Sequence, residues 1–299
     1  MERTLKTSPR LVDTVVARTP APLLVVAAAF SFQSGAALAT TLFEEAGPLG
    51  AVWLRQFFGA VVLVALNAGV VRRCRSRSIR PVLALGATLA LMNSLFYASI
   101  DRIPLGVAVT AEFLGPLAVA VAGSRRPRDF VWTVLAGAGV ALLGSPTTDV
   151  DPVGLALALS AGACWGGYIL IGKRLGEEWP LLDGLTLAMV IAAALMTPVG
   201  LVAGGSALVG PPVLAVGLAV GILGSVVPYA LELTALRRLT TAAFGILMSL
   251  EPAIAALVGA LILSQALSPL EGLAVAFVVV ASIGANLHTR APIPPSWPD

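Results

Sequence analysis

The sequence predicts an all-α membrane protein of ten transmembrane helices, arranged as two inverted five-helix repeats with both termini in the cytoplasm. Three observations point there. Only 12% of the 299 residues are charged while 58% are hydrophobic, and the mean hydropathy is +0.93. A soluble domain carries about 25% charged residues, so this chain cannot clothe a water-facing surface. Apolar runs recur, most of them near the roughly 20 residues a helix needs to cross a bilayer. The basic residues, finally, collect in every second segment between those runs.

Residues 1–22 are polar and mildly basic (Arg3, Lys6, Arg10, Arg18) and read as a cytoplasmic tail. Tail plus the run from Leu23 resembles a signal peptide, but the run continues to Phe43, which favours a spanning helix over a cleaved segment. Further spans are expected at 50–71, 81–100, 104–123, 130–146, 153–172, 184–204, 212–235, 240–263 and 269–287. The fifth is short and ends at Ser145-Pro146. A proline-rich polar tail fills 288–299. The first repeat is thus 23–146 and the second 153–287.

Charge supports the count of ten. Of nineteen Lys and Arg, seventeen lie in the N-terminal tail, 72–80, 125–128, 173–174, 237–238 and Arg290, which are alternate segments. The opposite set holds only Arg102, and Arg55 falls inside the second span. Such asymmetry marks the cytoplasmic side, and one helix more or fewer would scramble it. The halves also match each other. Leu114-Gly-Pro-Leu-Ala-Val-Ala-Val-Ala-Gly123 aligns with Leu250-Glu-Pro-Ala-Ile-Ala-Ala-Leu-Val-Gly259 at an offset of 136, identical at four of ten positions, and Arg102 falls on Arg238 at the same offset. A repeat of five helices must enter the membrane upside down the second time, with a solute site near the midplane between the halves.

The functional reading starts from Pro104 to Gly123. This span carries Glu112 near its middle and Pro116 four residues later. A charge at the bilayer centre costs about 2.5–3.5 kcal/mol on insertion scales and marks a pathway by default. Pro116 leaves the Glu112 carbonyl without its i+4 amide, which is tolerable where protein or water pairs it instead. A polar side chain and a loosened backbone therefore coincide at membrane depth, as in the wall of a solute pathway.

Other functions lack their parts. The basic residues sit in short clusters set by topology, so no nucleic-acid face is expected; the arginine loops can touch anionic lipid heads. Cys74 lies in an arginine-rich loop and Cys164 in an apolar run, an arrangement against a disulfide. His288 is the single histidine, at the end of the last span, so no His-based metal site or triad can be built, and no cofactor is expected. No nucleophile with a base partner and no phosphate-cradling glycine loop argues for an enzyme. A non-transporting sensor would be expected to bring a sizeable soluble domain.

Several segments resemble a known family. Asn93-Ser-Leu-Phe-Tyr97, Pro104-Leu-Gly-Val-Ala-Val, Glu112-Phe-Leu-Gly-Pro-Leu, Ser124-Arg-Arg-Pro and Asp129-Phe-Val-Trp132 are similar to the first half of the threonine/homoserine exporters, of the EamA branch of the drug/metabolite transporter superfamily. Ser34-Gly-Ala-Ala-Leu-Ala39, Gly162-Ala-Cys-Trp-Gly-Gly-Tyr-Ile, Pro228-Tyr-Ala-Leu-Glu232 and Phe244-Gly-Ile-Leu-Met-Ser-Leu-Glu-Pro252 extend the resemblance from about residue 23 to 287. It implies a bundle of inverted five-helix repeats in the bacterial inner membrane, exporting small amino acids against protons. An aromatic amino acid, drug or sugar derivative is the alternative solute. Two positions depart from the family pattern: Ser264-Gln265 stands where a glutamate is frequent, and Lys173 where an uncharged polar residue stands.

Glu112, nine residues into a helix entered from outside, and Glu251, twelve into one entered from the cytoplasm, should share mid-depth. A carboxyl that gains and loses a proton lets proton and substrate compete for one site, and it can also meet an amino acid's ammonium. The alternative for each is a packing role between helices. Glu232 either gates the cytoplasmic end of the eighth helix or pairs with Arg237 and Arg238. Arg55 is expected to snorkel outward, or else to pair with a membrane glutamate or draw a substrate carboxylate. Gln33, Asn93, Tyr97, Trp165, Tyr168 and Tyr229 either orient a zwitterion on an apolar wall or bond between helices. Trp53, Trp132 and Trp179 read as interfacial anchors, and Gly35/Ala39 and Gly217/Gly221 as close helix contacts.

Overall fold

A computed structural model describes residues 19–70, 77–122, 130–144 and 149–288. The expected arginine loops at 72–76 and 125–128, Cys74 and both tails (but for residues 19–22 and His288) lie outside them. Among the described residues all regular structure is helical. The helices are α1 (Ala21–Thr40), α2 (Phe43–Leu66), α3 (Arg80–Ile100), α4 (Leu105–Glu112 with Leu114–Ala122) and α5 (Phe130–Leu143). They continue as α6 (Pro152–Glu178), α7 (Leu181–Gly204), α8 (Pro211–Leu236), α9 (Thr241–Met248 with Glu251–Ile262) and α10 (Pro269–His288). Among the described residues nine are long and apolar enough to span a bilayer, and the tenth, α5, is an apolar helix of 14 residues.

Local chemistry sets the boundaries. Proline stands at the first or second position of α1, α3, α6 and α8, where its missing N–H would be unpaired anyway. Asp151 caps α6 by accepting the Val153 N–H, and Thr240 caps α9 by accepting that of Ala243. Helix α2 begins seven residues before the expected 50, but Gly47 at φ +68 followed by Pro48 breaks off that first turn. Helix α6 runs past the expected 172 to Glu178, because Lys173, Arg174, Glu177 and Glu178 favour helix where it leaves the apolar layer.

Three helices are interrupted in mid-course. Helix α4 breaks at Phe113 and α9 at Ser249-Leu250. Helix α8 passes through a π-turn at Ile222–Val226 before Pro228. The halves of α4 and α9 that precede the breaks, Leu105–Glu112 and Thr241–Met248, differ by 136 residues at both bounds.

Helix α2 lies along α7, α5 along α10, and the first half of α4 along the second half of α9. Helix α1 packs on α8 and α9, and α3 on α6 and α7. The two ends of this bundle differ. At the end where α4 begins, all eight residues of Leu105–Glu112 are buried. Beyond the break only Leu117 of Leu114–Ala122 is buried, and no described side chain of Thr241–Met248 is. The bundle is therefore packed more loosely around these helices at the end where α9 begins.

Candidate functional site

Glu112 ends the first half of α4, buried to 6% exposure. The carbonyl that Pro116 deprives of an amide faces Gly162 of α6, so closely that a Cβ at Gly162 would collide with it. Gly115 meets the Gly162 carbonyl in the same way. The two backbones cross in contact at the height of the glutamate, held there by paired glycines. Phe113, buried at the break, meets the Trp165 ring edge-on at 5.4 Å.

Across the bundle, Arg55 of α2 presents the complementary charge, held by acceptors on α8. Pro228 has no N–H to return to the carbonyls four and five residues before it, those of Gly224 and Leu223. Arg55 Nη2 donates to the Gly224 carbonyl at 2.6 Å and Ser31 Oγ to that of Leu223 at 2.8 Å. Arg55 Nε adds a bond to Ser225 Oγ at 3.2 Å, and the guanidinium lies 4.8 Å from the Phe32 ring centre and 5.6 Å from that of Tyr97. Arg55 is 1% exposed, so the expected snorkelling is overturned: proline-freed acceptors at membrane depth hold the side chain inward.

Glu251 opens the second half of α9 at 4% exposure, and Ser249 in the break bonds Ser282 of α10 at 2.6 Å. Arg55, Tyr97, Glu112, Cys164, Tyr168, Tyr229, Glu232 and Glu251, from six helices, lie in one neighbourhood, near enough for charge on one to act on the next. Among the described residues no group donates a hydrogen bond to the carboxyl oxygens of Glu112, Glu232 or Glu251, and the polar atoms of Gln33, Gln56 Oε1 and Tyr97 Oη are fully buried without a partner. Tyr168, Tyr229 and Glu232 are partly exposed, whereas Glu112 and Glu251 are buried.

Other expected residues fall elsewhere. Asn93 Nδ2 bonds its own helix at the Leu89 carbonyl, which also accepts Gln56 Nε2. Glu232 forms no ion pair with Arg237 or Arg238. Trp179 is buried rather than interfacial, its indole donating to the Ser78 carbonyl, while Trp53 bonds Thr197. Gln265 caps α4, its Oε1 accepting the Leu105 N–H at 2.9 Å. Gly35 packs on Gly224, and Gly217 and Gly221 pack on Leu54 and Phe58 as expected. The reading of the sequence missed Ser31, Gln56, Ser225 and the Gly162 crossing; Pro228, which frees two carbonyls upstream, was the available signal for the serines.

Comparisons with known proteins agree with this geometry. The model of the EamA-like transporter family matches residues 152–287. The threonine/homoserine exporter RhtA of Escherichia coli K12 is 45% identical over 91% of this chain and 92% of its own length. The chain belongs to the EamA-like transporter family. RhtA of Salmonella typhimurium SL1344 is 44% identical over 90% of this chain and 92% of its own, and the uncharacterized transporter YwfM of Bacillus subtilis is 28% identical over 90% and 94%. A crystal structure with 21% identity superposes with a TM-score of 0.61 over 89% of this chain and 96% of its own, a likeness of fold. This EamA-family chain is accordingly a multi-pass membrane protein with a transport role.

Proposed function

We propose that this chain is a secondary active exporter of small amino acids of the threonine and homoserine type, resident in the bacterial inner membrane, exchanging solute against protons by alternating access. One observation carries the reading: Glu112 and Glu251, on helices broken at matching places, are buried at membrane depth, and among the described residues no group bonds their carboxyl oxygens. Ionisable groups at that depth are expensive and mark a solute or proton route. The family membership and the exporter names of the 45%-identical relatives support the substrate class.

Two repeats, 23–146 and 153–287, fit the packing. Under a five-helix shift α1·α8 exchanges with α6·α3, α2·α8 with α7·α3 and α1·α9 with α6·α4, while α2·α7, α4·α9 and α5·α10 map onto themselves; all are packed pairs. The shared offset of 136 in the broken helices supports the same repeat. With the charge alternation putting the start of α1 in the cytoplasm, the looser end faces inward, as in the state that loads an exporter. Tyr168, Trp165, Tyr229 and Glu232 then line the entry, and Glu112 and Glu251 receive the ammonium or a proton in turn.

The test is efflux of labelled threonine and homoserine from proteoliposomes, with and without an imposed pH gradient. Glu112→Gln and Glu251→Gln should each abolish gradient-driven efflux while membrane insertion persists. Full efflux by both variants would remove the coupling role.

A further inference from the structure

Arg55 has hydrogen-bonding capacity that the fold does not use. Nε is taken by Ser225 and Nη2 by the Gly224 carbonyl, but among the described residues Nη1 makes no hydrogen bond of ordinary length. Two aromatic rings flank the guanidinium, and the Tyr97 hydroxyl lies near it without reaching ordinary hydrogen-bond distance. The side chain is 1% exposed, so this donor lies inside the protein, not at its surface. No ion pair joins Arg55 to Glu112, Glu232 or Glu251, although its field reaches Glu112. A buried cation and buried carboxyls, each with unfilled bonding positions, are kept apart. A solute carrying both charges would fill the gap.

Resting on the transport reading above, we propose that Arg55 is the anchor for the substrate's carboxylate, donating from Nη1, and that it restricts this carrier to solutes with a free carboxylate. Ser225 and the Gly224 carbonyl are its positioning groups. Their bonds fix the plane of the guanidinium, and Pro228 keeps that carbonyl available by having no amide to offer it. The same contact places the anchor on the π-turn of α8. Binding a carboxylate at Nη1 thereby loads the interrupted stretch that joins the two halves of α8. A lysine could supply the charge, but it has no planar fork with which to hold Ser225, the Gly224 carbonyl and a carboxylate together.

The test compares threonine with threonine amide, which keeps the ammonium and hydroxyl and lacks the carboxylate. In wild-type proteoliposomes loaded with threonine, exchange of labelled threonine should be inhibited by the amide at least about tenfold more weakly than by threonine, the loss expected for a hydrogen bond to a charged group. Arg55→Lys should raise the half-saturating threonine concentration by at least about tenfold and bring the two inhibitors towards parity. Ser225→Ala, which leaves Arg55 in place, should narrow the discrimination severalfold and covers the case in which the Lys variant does not fold. Equal inhibition by acid and amide in the wild type overturns the proposal. So does undiminished discrimination in a folded Arg55→Lys or Ser225→Ala protein, which would make the arginine a clamp between α2 and α8. Wild-type vesicles that exchange neither threonine nor homoserine would instead bring down the transport reading, and this inference with it.

Discussion

At one end of the bundle, Arg102 reaches from the turn between α3 and α4 to Asp151, the residue before α6, at 3.1 Å. At the other, Arg238 reaches from the turn between α8 and α9 to the carbonyl of Thr19, just before α1, at 3.2 Å. The two latches occupy equivalent places, yet the helix segment behind the first is wholly buried and the one behind the second is not. Closure is therefore not the work of the latches. It comes from close packing: Gly106 lies against the Ala256 backbone, Gly154 against the Ile103 side chain, and Gln265 takes the first amide of α4. At the open end Gly245 of α9 faces only the side-chain tip of Asn286. A glycine set against backbone holds two helices together unless a whole helix moves, whereas contacts with a side-chain tip can yield locally.

The strongest way to break this comparison is to add side chains at the crossings. Gly115→Val and Gly106→Leu would drive a Cβ into the α6 and α9 backbones respectively. Overpacking costs about 1–3 kcal/mol and more where backbone must move, so both variants should lose about 3 kcal/mol or fail to accumulate as folded protein. Gly245→Ala meets a movable amide and should cost less than about 1 kcal/mol. Thermal melts of the purified proteins in lipid nanodiscs compare them. An equally damaging Gly245→Ala would erase the distinction between the two ends.

A smaller effect separates stability from work. Pro228→Ala restores an amide that can return to the Gly224 or Leu223 carbonyl and so competes with Arg55 and Ser31. The melting temperature should hold or rise, because a proline leaves a helix interior, while threonine exchange should fall about tenfold, the value of a charged hydrogen bond. Loss of both together would mean that the π-turn is needed for folding alone.

Much of this was legible in the sequence. Ten helices followed from run length and basic residues, and α4 and α9 were marked by proline four residues beyond Glu112 and one beyond Glu251. Arg55 was not legible in the same way. Its position near a span end favours snorkelling, and only the three-dimensional approach of α2 to α8 supplies the acceptors that turn it inward. Gly162 was visible as one small residue among many, since nothing in a chain with 30 glycines tells which one meets another backbone. Trp179 was misread as interfacial because the segment that buries it, around Ser78, is a hundred residues away. Local chemistry, in short, reached as far as helix breaks and caps; partners across the bundle needed the fold.

The smallest expected effect concerns the Arg102 latch. The Asp151 carboxylate accepts the Val153 N–H and a bond from Arg102, and these hold its pKa below the usual aspartate value, the backbone bond contributing most. A pKa depressed by folding adds stability that is present above the unfolded value and is lost as pH falls through the lower, folded one. Asp151→Asn keeps a capping side chain and removes the charge. Its small deficit in melting temperature should therefore stay constant from about pH 7 to about pH 5 and vanish only in stronger acid. A deficit of Asp151→Asn that already fades between about pH 7 and about pH 5 would show that some group other than this carboxylate governs the Arg102 latch.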